Sequence, residues 1–448
     1  MKRLILLFVI LISLEGMSQV NTYYFSDWSA ESQWNYNPAL QSKEKFFLYI
    51  PVLGGINASA GHTGFSYNDG IQDKTLSFSS LIDGLDDKNH LISNVNSTFF
   101  AAGVKFGNIQ LRTGVTGNFQ SRFTYTKDLF ELAWKGNGHE DVIGRRLSMD
   151  GTGFNTASYL SYFLGGSVSL LDNKLNLGVN GKFYNGISTA YTESSTFGLL
   201  TSADDYTITV DGSFDVRTSG LNDLANADSL EIRRLMPLSV DGNKGFGVDL
   251  GLTYSPVEKF TLEASATNLG SITWKQDTES YKLNDQELAY SGFELNEFIS
   301  GADSTESSIE QFTDSITDLF TPEESNGSFK TTMNHNIFLA GTINFSKKAN
   351  ARVYFNSKNS FGEKFNSVGG MYSRKFGKTL QLRGGLQLFN MKDVIVPIGF
   401  ILNAGPVQLG LHTENILSVV QRQKTKYLSG VYSISFRFGK EKLDKKTE

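Results

Sequence analysis

The chain of 448 residues contains no cysteine, only 7 prolines and 19% charged residues. Lack of cysteine excludes disulfide frameworks, zinc ribbons, iron-sulfur ligation, a cysteine nucleophile and the lipidated cysteine of a bacterial lipoprotein. No long apolar run follows the N-terminus and mean hydropathy is -0.22. Helical membrane spans, which need about 20 consecutive apolar residues, are therefore excluded. Lys+Arg 41 against Asp+Glu 46 gives -5, so no basic surface argues for nucleic acid. What is abundant is Gly 44, Phe 34 and Tyr 18.

Lys2 and Arg3 precede an apolar stretch from Leu4 to Ile12, extended by Leu14, and Gly16-Met17-Ser18 supplies small residues at a cleavage site. This pattern predicts a secretory signal peptide over residues 1–18, cut before Gln19. Its apolar core is about half the length a bilayer-spanning helix needs, which argues against a membrane anchor. The mature chain is expected outside the cytoplasm, where a protein without cysteine is indifferent to oxidants.

Alternation dominates the mature chain. Ile109, Leu111, Val115, Phe119 and Phe123 are interleaved with Gln110, Arg112, Thr116, Gln120 and Arg122. Leu175, Leu177 and Val179 alternate with Asn176 and Asn180; Leu250 and Leu252 with Asp249 and Thr253; Leu262 and Ala264 with Glu263 and Ser265. Leu380, Leu382 and Leu386 face off against Gln381, Arg383 and Gln387, and Tyr432, Ile434, Phe436 and Phe438 against Ser433, Ser435 and Arg437. Alternation alone also describes a soluble sandwich, but strands there average about 5 to 6 residues. The longer runs here match the roughly 9 to 11 residues of a tilted transmembrane strand, apolar toward lipid and polar toward the lumen. Phe106, Tyr125, Tyr184, Tyr254, Trp274, Phe345, Phe376, Phe389 and Phe438 near segment ends read as interfacial girdles.

Connection lengths supply a parity test. Short turns at Gly107-Asn108, Asp172 to Lys174, Ser255 to Lys259, Ser346 to Asn350, Gly377-Lys378 and Gly405-Pro406 separate longer stretches. Those stretches are Tyr67 to Asn94, Thr126 to Arg146, Thr192 to Asn243, Lys275 to Ser328, Ser357 to Glu363 and His412 to Lys426. Asn390 to Lys392 is too short to assign by length. Strict alternation from Phe46 onward predicts an all-β fold, a single transmembrane antiparallel β-barrel of about 14 strands, within a range of roughly 12 to 16, with both ends on the periplasmic side. Tyr206 to Val216 also alternates and would raise the number to 16 if it were a strand pair in the wall. The expected organisation is residues 19–44 as an N-terminal segment, 45–439 as the barrel and 440–448 as a charged periplasmic tail.

Residues 275–330 carry thirteen carboxylates and three lysines, a balance of -10, so everything else sums to +5. Ile309, Phe312, Ile316, Leu319 and Phe320 fall at helical spacing, predicting a short amphipathic helix. The insert reads as a solvated loop whose helix packs on the rim; an acidic cap gathering cations is the other reading.

Catalytic and metal-binding constellations are missing. His62, His90, His139, His335 and His412 have no metal-ligand spacing. Gly165-Gly166-Ser167-Val168-Ser169 lies in an alternating strand and lacks the last glycine of a nucleophile elbow. No enzyme, cofactor or metal is expected. The polar face places Arg112, Arg122, Lys182, Asp249, Glu263, Arg383 and Arg437 in the lumen.

Trp34-Asn35-Tyr36-Asn37-Pro38-Ala39-Leu40 resembles the Asn-Pro-Ala signature of FadL-like fatty-acid-transporter barrels. Gly245-Phe246-Gly247-Val248-Asp249-Leu250-Gly251-Leu252, then Ala266-Thr267-Asn268-Leu269-Gly270, then the acidic insert and Gly327-Ser328-Phe329-Lys330, look like an uncharacterised Bacteroidota outer-membrane barrel family of the DUF5723 kind, also similar to PorP/SprF-type proteins. The transporter resemblance implies a 14-stranded barrel plugged by an N-terminal hatch, with Asn37, Pro38 and Ala39 on its signature positions. Gln19 to Glu44 is shorter than such a hatch, so a full plug is not assured by length. Asn37-Pro38-Ala39 reads equally as a turn admitting the chain to the barrel or as part of a gate. The resemblance implies a channel for small or hydrophobic solutes, or else a non-transporting scaffold for surface, secretion or motility proteins. In either case a monomer in the cell outer membrane is expected, contacting lipid and the barrel-assembly machinery.

Overall fold

The computed structural model describes residues 22–51, 54–66, 71–72, 75–221, 242–291, 319–421 and 424–440. The signal peptide, the expected helix of the acidic insert up to residue 318, and the tail beyond residue 440 lie outside these.

Each alternating run becomes a strand, and each strand pairs antiparallel with its neighbours. The first is made of two pieces, Glu44–Tyr49 and Ile56–His62, together called β1. There follow β2 (Lys88–Phe106), β3 (Ile109–Thr126), β4 (Gly153–Leu170) and β5 (Leu175–Thr201). Next come β6 (Ile208–Ser219), β7 (Asn243–Val257), β8 (Phe260–Trp274) and β9 (Thr278–Tyr290). The rest are β10 (Asn336–Ser346), β11 (Ala349–Ser360), β12 (Glu363–Phe376), β13 (Leu380–Phe389), β14 (Ile398–Ala404), β15 (Val407–Thr413) and β16 (Tyr427–Lys440). The barrel closes where β16 pairs with β1, Phe438 opposite Phe46. Removing β6 and β9 from the sixteen leaves 14 strands in the wall.

Those two explain why the wall has 14 strands and not 16. β5 is 27 residues long. Its first half, Leu175 to Gly186, pairs with β7, and its second half, Thr189 to Thr201, pairs with β6. β6 pairs in turn with β9. The alternating Tyr206 to Val216 region is thus a strand, but in a sheet that continues beyond the rim. Part of the acidic insert is the strand β9 of that sheet rather than loop.

The wall has two faces, as period two requires. Along β3, Ile109 and Leu111 point outward and are exposed, whereas Gln110 and Arg112 are buried inside. Leu164, Phe246, Val353 and Leu386 lie outside on other strands, against Asn180, Asp249, Gln381 and Ser435 inside. An apolar exterior around a polar interior, spanned by strands of this length, is the construction of a membrane-crossing barrel. No helix among the described residues is long and apolar enough to cross a membrane.

Turns at the end carrying Glu44 and Lys440 are tight. Gly107 at φ 59 and Gly377 at φ 66 have nothing within 4 Å of a notional Cβ, so backbone conformation, not space, demands glycine there. At the opposite end two expectations are corrected. The long connection expected over Ser357 to Glu363 is a two-residue turn, because β11 and β12 extend to Ser360 and from Glu363. Four girdle aromatics, Tyr125, Tyr184, Trp274 and Phe389, are buried rather than lipid-facing. Parity puts Tyr184, Trp274 and Phe389 on the inner face, and Tyr125 is covered by His62 and Phe130. Phe106, Phe345, Phe376 and Phe438 do lie outside near the tight turns.

Candidate functional site: a plugged lumen and the chamber beneath its bridges

Residues 22–41 have no period and form only a 3-10 turn (Thr22–Phe25) and one helical turn (Ser32–Asn35). Inside the barrel they are nonetheless almost completely buried, with Tyr23, Trp34, Tyr36, Asn37 and Ala39 at 0 to 2% exposure. Two aromatic clusters hold them against opposite walls. Phe25 and Tyr36 pack on Phe338 of β10, at ring distances of 4.8 and 4.2 Å, and Phe25 on Tyr354 of β11. Trp34 stacks on Phe163 of β4 at 5.3 Å and meets Tyr49 of β1 edge-on at 5.4 Å. Despite its length, the segment reaches from wall to wall.

A chain without secondary structure must find partners for its carbonyls elsewhere. Wall side chains supply them. Arg383 donates from Nη1 and Nη2 to the carbonyls of Tyr23 and Thr22, each at 2.8 Å, and Arg352 donates to Phe25 O at 2.6 Å. Arg112 donates to Pro38 O at 2.7 Å, Asn180 to Gln33 O at 3.1 Å, and Ser265 to Tyr36 O at 2.6 Å. Asn37 closes an Asx turn by accepting from Ala39 N at 2.9 Å, and its amide donates to Leu252 O in the wall. The Asn37-Pro38-Ala39 motif is thus a turn, and that turn is clamped to the wall.

All seven charged residues assigned to the lumen lie on the inner face. Lys182 and Asp249 pair at 2.9 Å, with Asp249 also accepting from Asn180 Nδ2 and Asn268 N. Glu263 pairs with Arg352 at 2.7 Å and accepts from the Tyr36 hydroxyl at 2.9 Å. Arg437 pairs with Glu44, and Arg122 donates across the lumen to Ser360 O. Asp249 and Glu263 do not pair with each other; each has its own cation. The alternating polar face signalled these residues, whereas Arg352, Glu31 and Glu414, which also bind or belong to the segment, were not among those it singled out.

Above the segment lies a chamber of about 140 Å³ floored by Trp34, Asn35 and Tyr36. Its walls carry Asn57, Asn94, Asn96, Asn118, Asn268 and Asn334. Over it, side chains bridge opposite walls: Asn334 donates to Gln120 Oε1 at 2.7 Å, and the His90 ring meets Phe365 edge-on. Larger grooves, such as one of about 700 Å³ along Ile56, Leu382, Ile398 and Leu411, lie on the apolar exterior where lipid would run. Among the described residues no group of three His, Asp or Glu could hold a metal.

Glu31 of the segment is buried, 3.3 Å from the Thr98 hydroxyl. Burial raises its carboxyl to about 8, from an ordinary value of 4.5. The folded protein therefore holds a proton that the unfolded one releases, so stability is full below about pH 4.5 and falls as pH rises toward 8. Asp27 does not contribute in that window: burial pushes it up, but Lys43 and Lys375 together hold it well below the carboxylate range. Hydrogen exchange, corrected for intrinsic rates, should show residues 22–41 less protected at pH 8.5 than at pH 5. Glu31→Gln should flatten that difference, and a difference unchanged by the substitution would mean that Glu31 is not its source.

The fold and its filled lumen define a class: a 14-stranded membrane barrel stoppered by its own N-terminal segment. The chain belongs to a family of unknown function, DUF5723, whose model matches residues 38–414. No curated protein matches it. Solved structures with a similar layout include the Ralstonia pickettii toluene transporter TbuX, at 11% identity, TM-score 0.46, covering 95% of this chain and 100% of that one. A Pseudomonas aeruginosa FadL homologue is similar at 11% identity and TM-score 0.44, covering 95% and 99%. The Pseudomonas putida toluene transporter TodX matches at 10% identity and TM-score 0.41, covering 94% of each. The barrel itself is read from the strand pairing, not from these likenesses.

Proposed function

We propose that the protein is an outer-membrane barrel providing a gated path for small solutes, with residues 22–41 as the gate. The observation that carries this reading is the segment's mode of attachment. It is held by individual hydrogen bonds and ring contacts to the wall, with a chamber above it, and not by strand pairing that would make it part of the barrel. The N-terminal export signal and an apolar exterior support residence in the outer membrane, with Glu44 and Lys440 on the periplasmic side. The chamber's asparagine lining supports a polar solute and counts against the hydrophobic one that the transporter resemblance implies.

Planar-bilayer recording tests the gate. Intact protein is expected to stay closed or flicker, and a variant lacking residues 22–41 to give steady conductance. Wide, steady conductance of the intact protein, or none from the deletion variant, would sink the proposal. A scaffold role has one observation in its favour, the sheet of β5, β6 and β9 that continues beyond the rim as a contact surface. Co-purification of a secretion or motility component that is lost on deleting β6 and β9 would favour it.

A further inference from the structure

The lining of the chamber names a ligand class. No carboxylate lines it, and two lysines do, Lys182 and Lys358. Lys182 is neutralised by Asp249. Among the described residues nothing pairs with Lys358, so the chamber carries one uncompensated positive charge. A cation set in a low-dielectric enclosure without a partner is costly, and an anion entering it recovers that cost.

The remaining surface asks for hydroxyl groups. Trp34 Nε1 and Ser161 Oγ, on side chains only 2% and 4% exposed, have no hydrogen-bond partner among the described residues. Neither do Asn35 Nδ2, both polar atoms of the Asn94 amide, or Asn336 Oδ1. Each side-chain amide of the lining, Asn57, Asn96, Asn118 and Gln120 among them, carries a donor and an acceptor, so the two are interspersed around one small space. A carboxylate alone offers only acceptors and an ammonium only donors, but a hydroxyl is both. Size narrows the class further. At roughly 30 Å³ per water the chamber holds about five waters, well below the roughly 300 Å³ of a drug-sized pocket. An acyl chain has neither the polarity nor the compactness to fit.

We infer that the chamber binds a small polyhydroxylated monoanion, a three-carbon hydroxy acid of glycerate size, with Lys358 receiving the acid group and the asparagines the hydroxyls. This rests on the reading of the lumen as a solute path, and the test is chosen to separate the two. Full-length mature protein in detergent is titrated calorimetrically with glycerate, glycerol and toluene. Glycerate is expected to bind more tightly than glycerol by about tenfold or more, the worth of one charge-assisted hydrogen bond. Lys358→Gln should abolish the preference while retaining glycerol binding, and Asn94→Leu should weaken both polyols. Retained heat-modifiable migration on gels shows that each variant is folded. Equal binding of glycerol and glycerate, binding of toluene alone, or no binding of any probe would overturn the inference. Glycerate binding by a protein whose gate-deleted form carries no current would leave this inference standing and remove the transport reading.

Discussion

A side chain at Gly178 or Gly251 is expected to expel the N-terminal segment from the barrel. The two glycines face each other across the β5–β7 pair, making a flat spot two residues wide on the inner wall. Asn37-Pro38-Ala39 lies on it. A Cβ at Gly178 would stand 2.0 Å from Pro38 O, and one at Gly251 would stand 2.1 Å from Asn37 Oδ1 and 2.8 Å from Ala39 N. Ordinary contact needs about 3.5 to 4.0 Å; Pro38 O and Ala39 N are backbone, and Asn37 Oδ1 can swing aside only by giving up the hydrogen bond from Ala39 N that closes the turn. Valine suits a strand, so Gly178→Val and Gly251→Val leave the ladder intact and put the whole conflict on the segment. The double variant should form heat-stable barrels whose residues 22–41 are cut by added protease and whose conductance approaches that of the deletion variant. Gly430→Val is the control, since a Cβ there meets nothing within 4 Å. If the double variant stays as closed and protease-resistant as the control, the segment is not seated by this contact.

How much of this could be read in the sequence depends on whether a residue belongs to a periodic run. Arg112, Lys182 and Arg383 sit on alternating strands, so their inward direction follows from parity alone. The number of strands in the wall followed from turn lengths, since each tight turn between long alternating runs marks one hairpin at the same end. Parity carried no further than the bilayer: the strand at Tyr206 to Val216 was legible, but its pairing above the rim depends on β5 being long enough to serve two partners in succession. The segment at 22–41 was the least legible. It has no period, and its order arises from Arg352, Ser265 and Asn180, which lie hundreds of residues away in sequence. Length argued against a plug because length measures secondary structure, whereas this one is made of aromatic rings and capped carbonyls. The misread girdle has the same root: Trp274 and Phe389 are at strand ends, as interfacial residues are, but on the inner face, where they build the core at the loop end of the barrel.

Removing Asp249 is expected to destabilise the barrel more than removing both members of its pair. Asp249 is fully buried and answers three donors: Lys182 Nζ at 2.9 Å, Asn180 Nδ2 at 2.9 Å and Asn268 N at 2.7 Å. Asp249→Ala leaves Lys182 buried as an uncompensated charge, a loss of about 3 to 5 kcal/mol in comparable buried pairs. Lys182 also lines the chamber and bonds Asn268 Oδ1 at 2.7 Å, so the vacated charge pulls on the wall that supports Trp34. Replacing both, as Lys182→Met with Asp249→Leu, withdraws the charge together with its counter-charge, and part of the stability should return. The check is a double-mutant cycle on the midpoint of unfolding in detergent. The expected order of stability is wild type above the double variant, and the double variant above Asp249→Ala. Equal losses in single and double variants would mean that Lys182 reaches water when Asp249 is absent, and that the inner wall at this level is wetter than its geometry implies. The same cycle on Glu263 and Arg352 should behave differently in one respect. Arg352 donates to Phe25 O at 2.6 Å, whereas Lys182 reaches Trp34 O of the segment only at 3.5 Å, so Arg352→Met should loosen the segment even when Glu263 is removed with it, and more than the Lys182 and Asp249 double variant does.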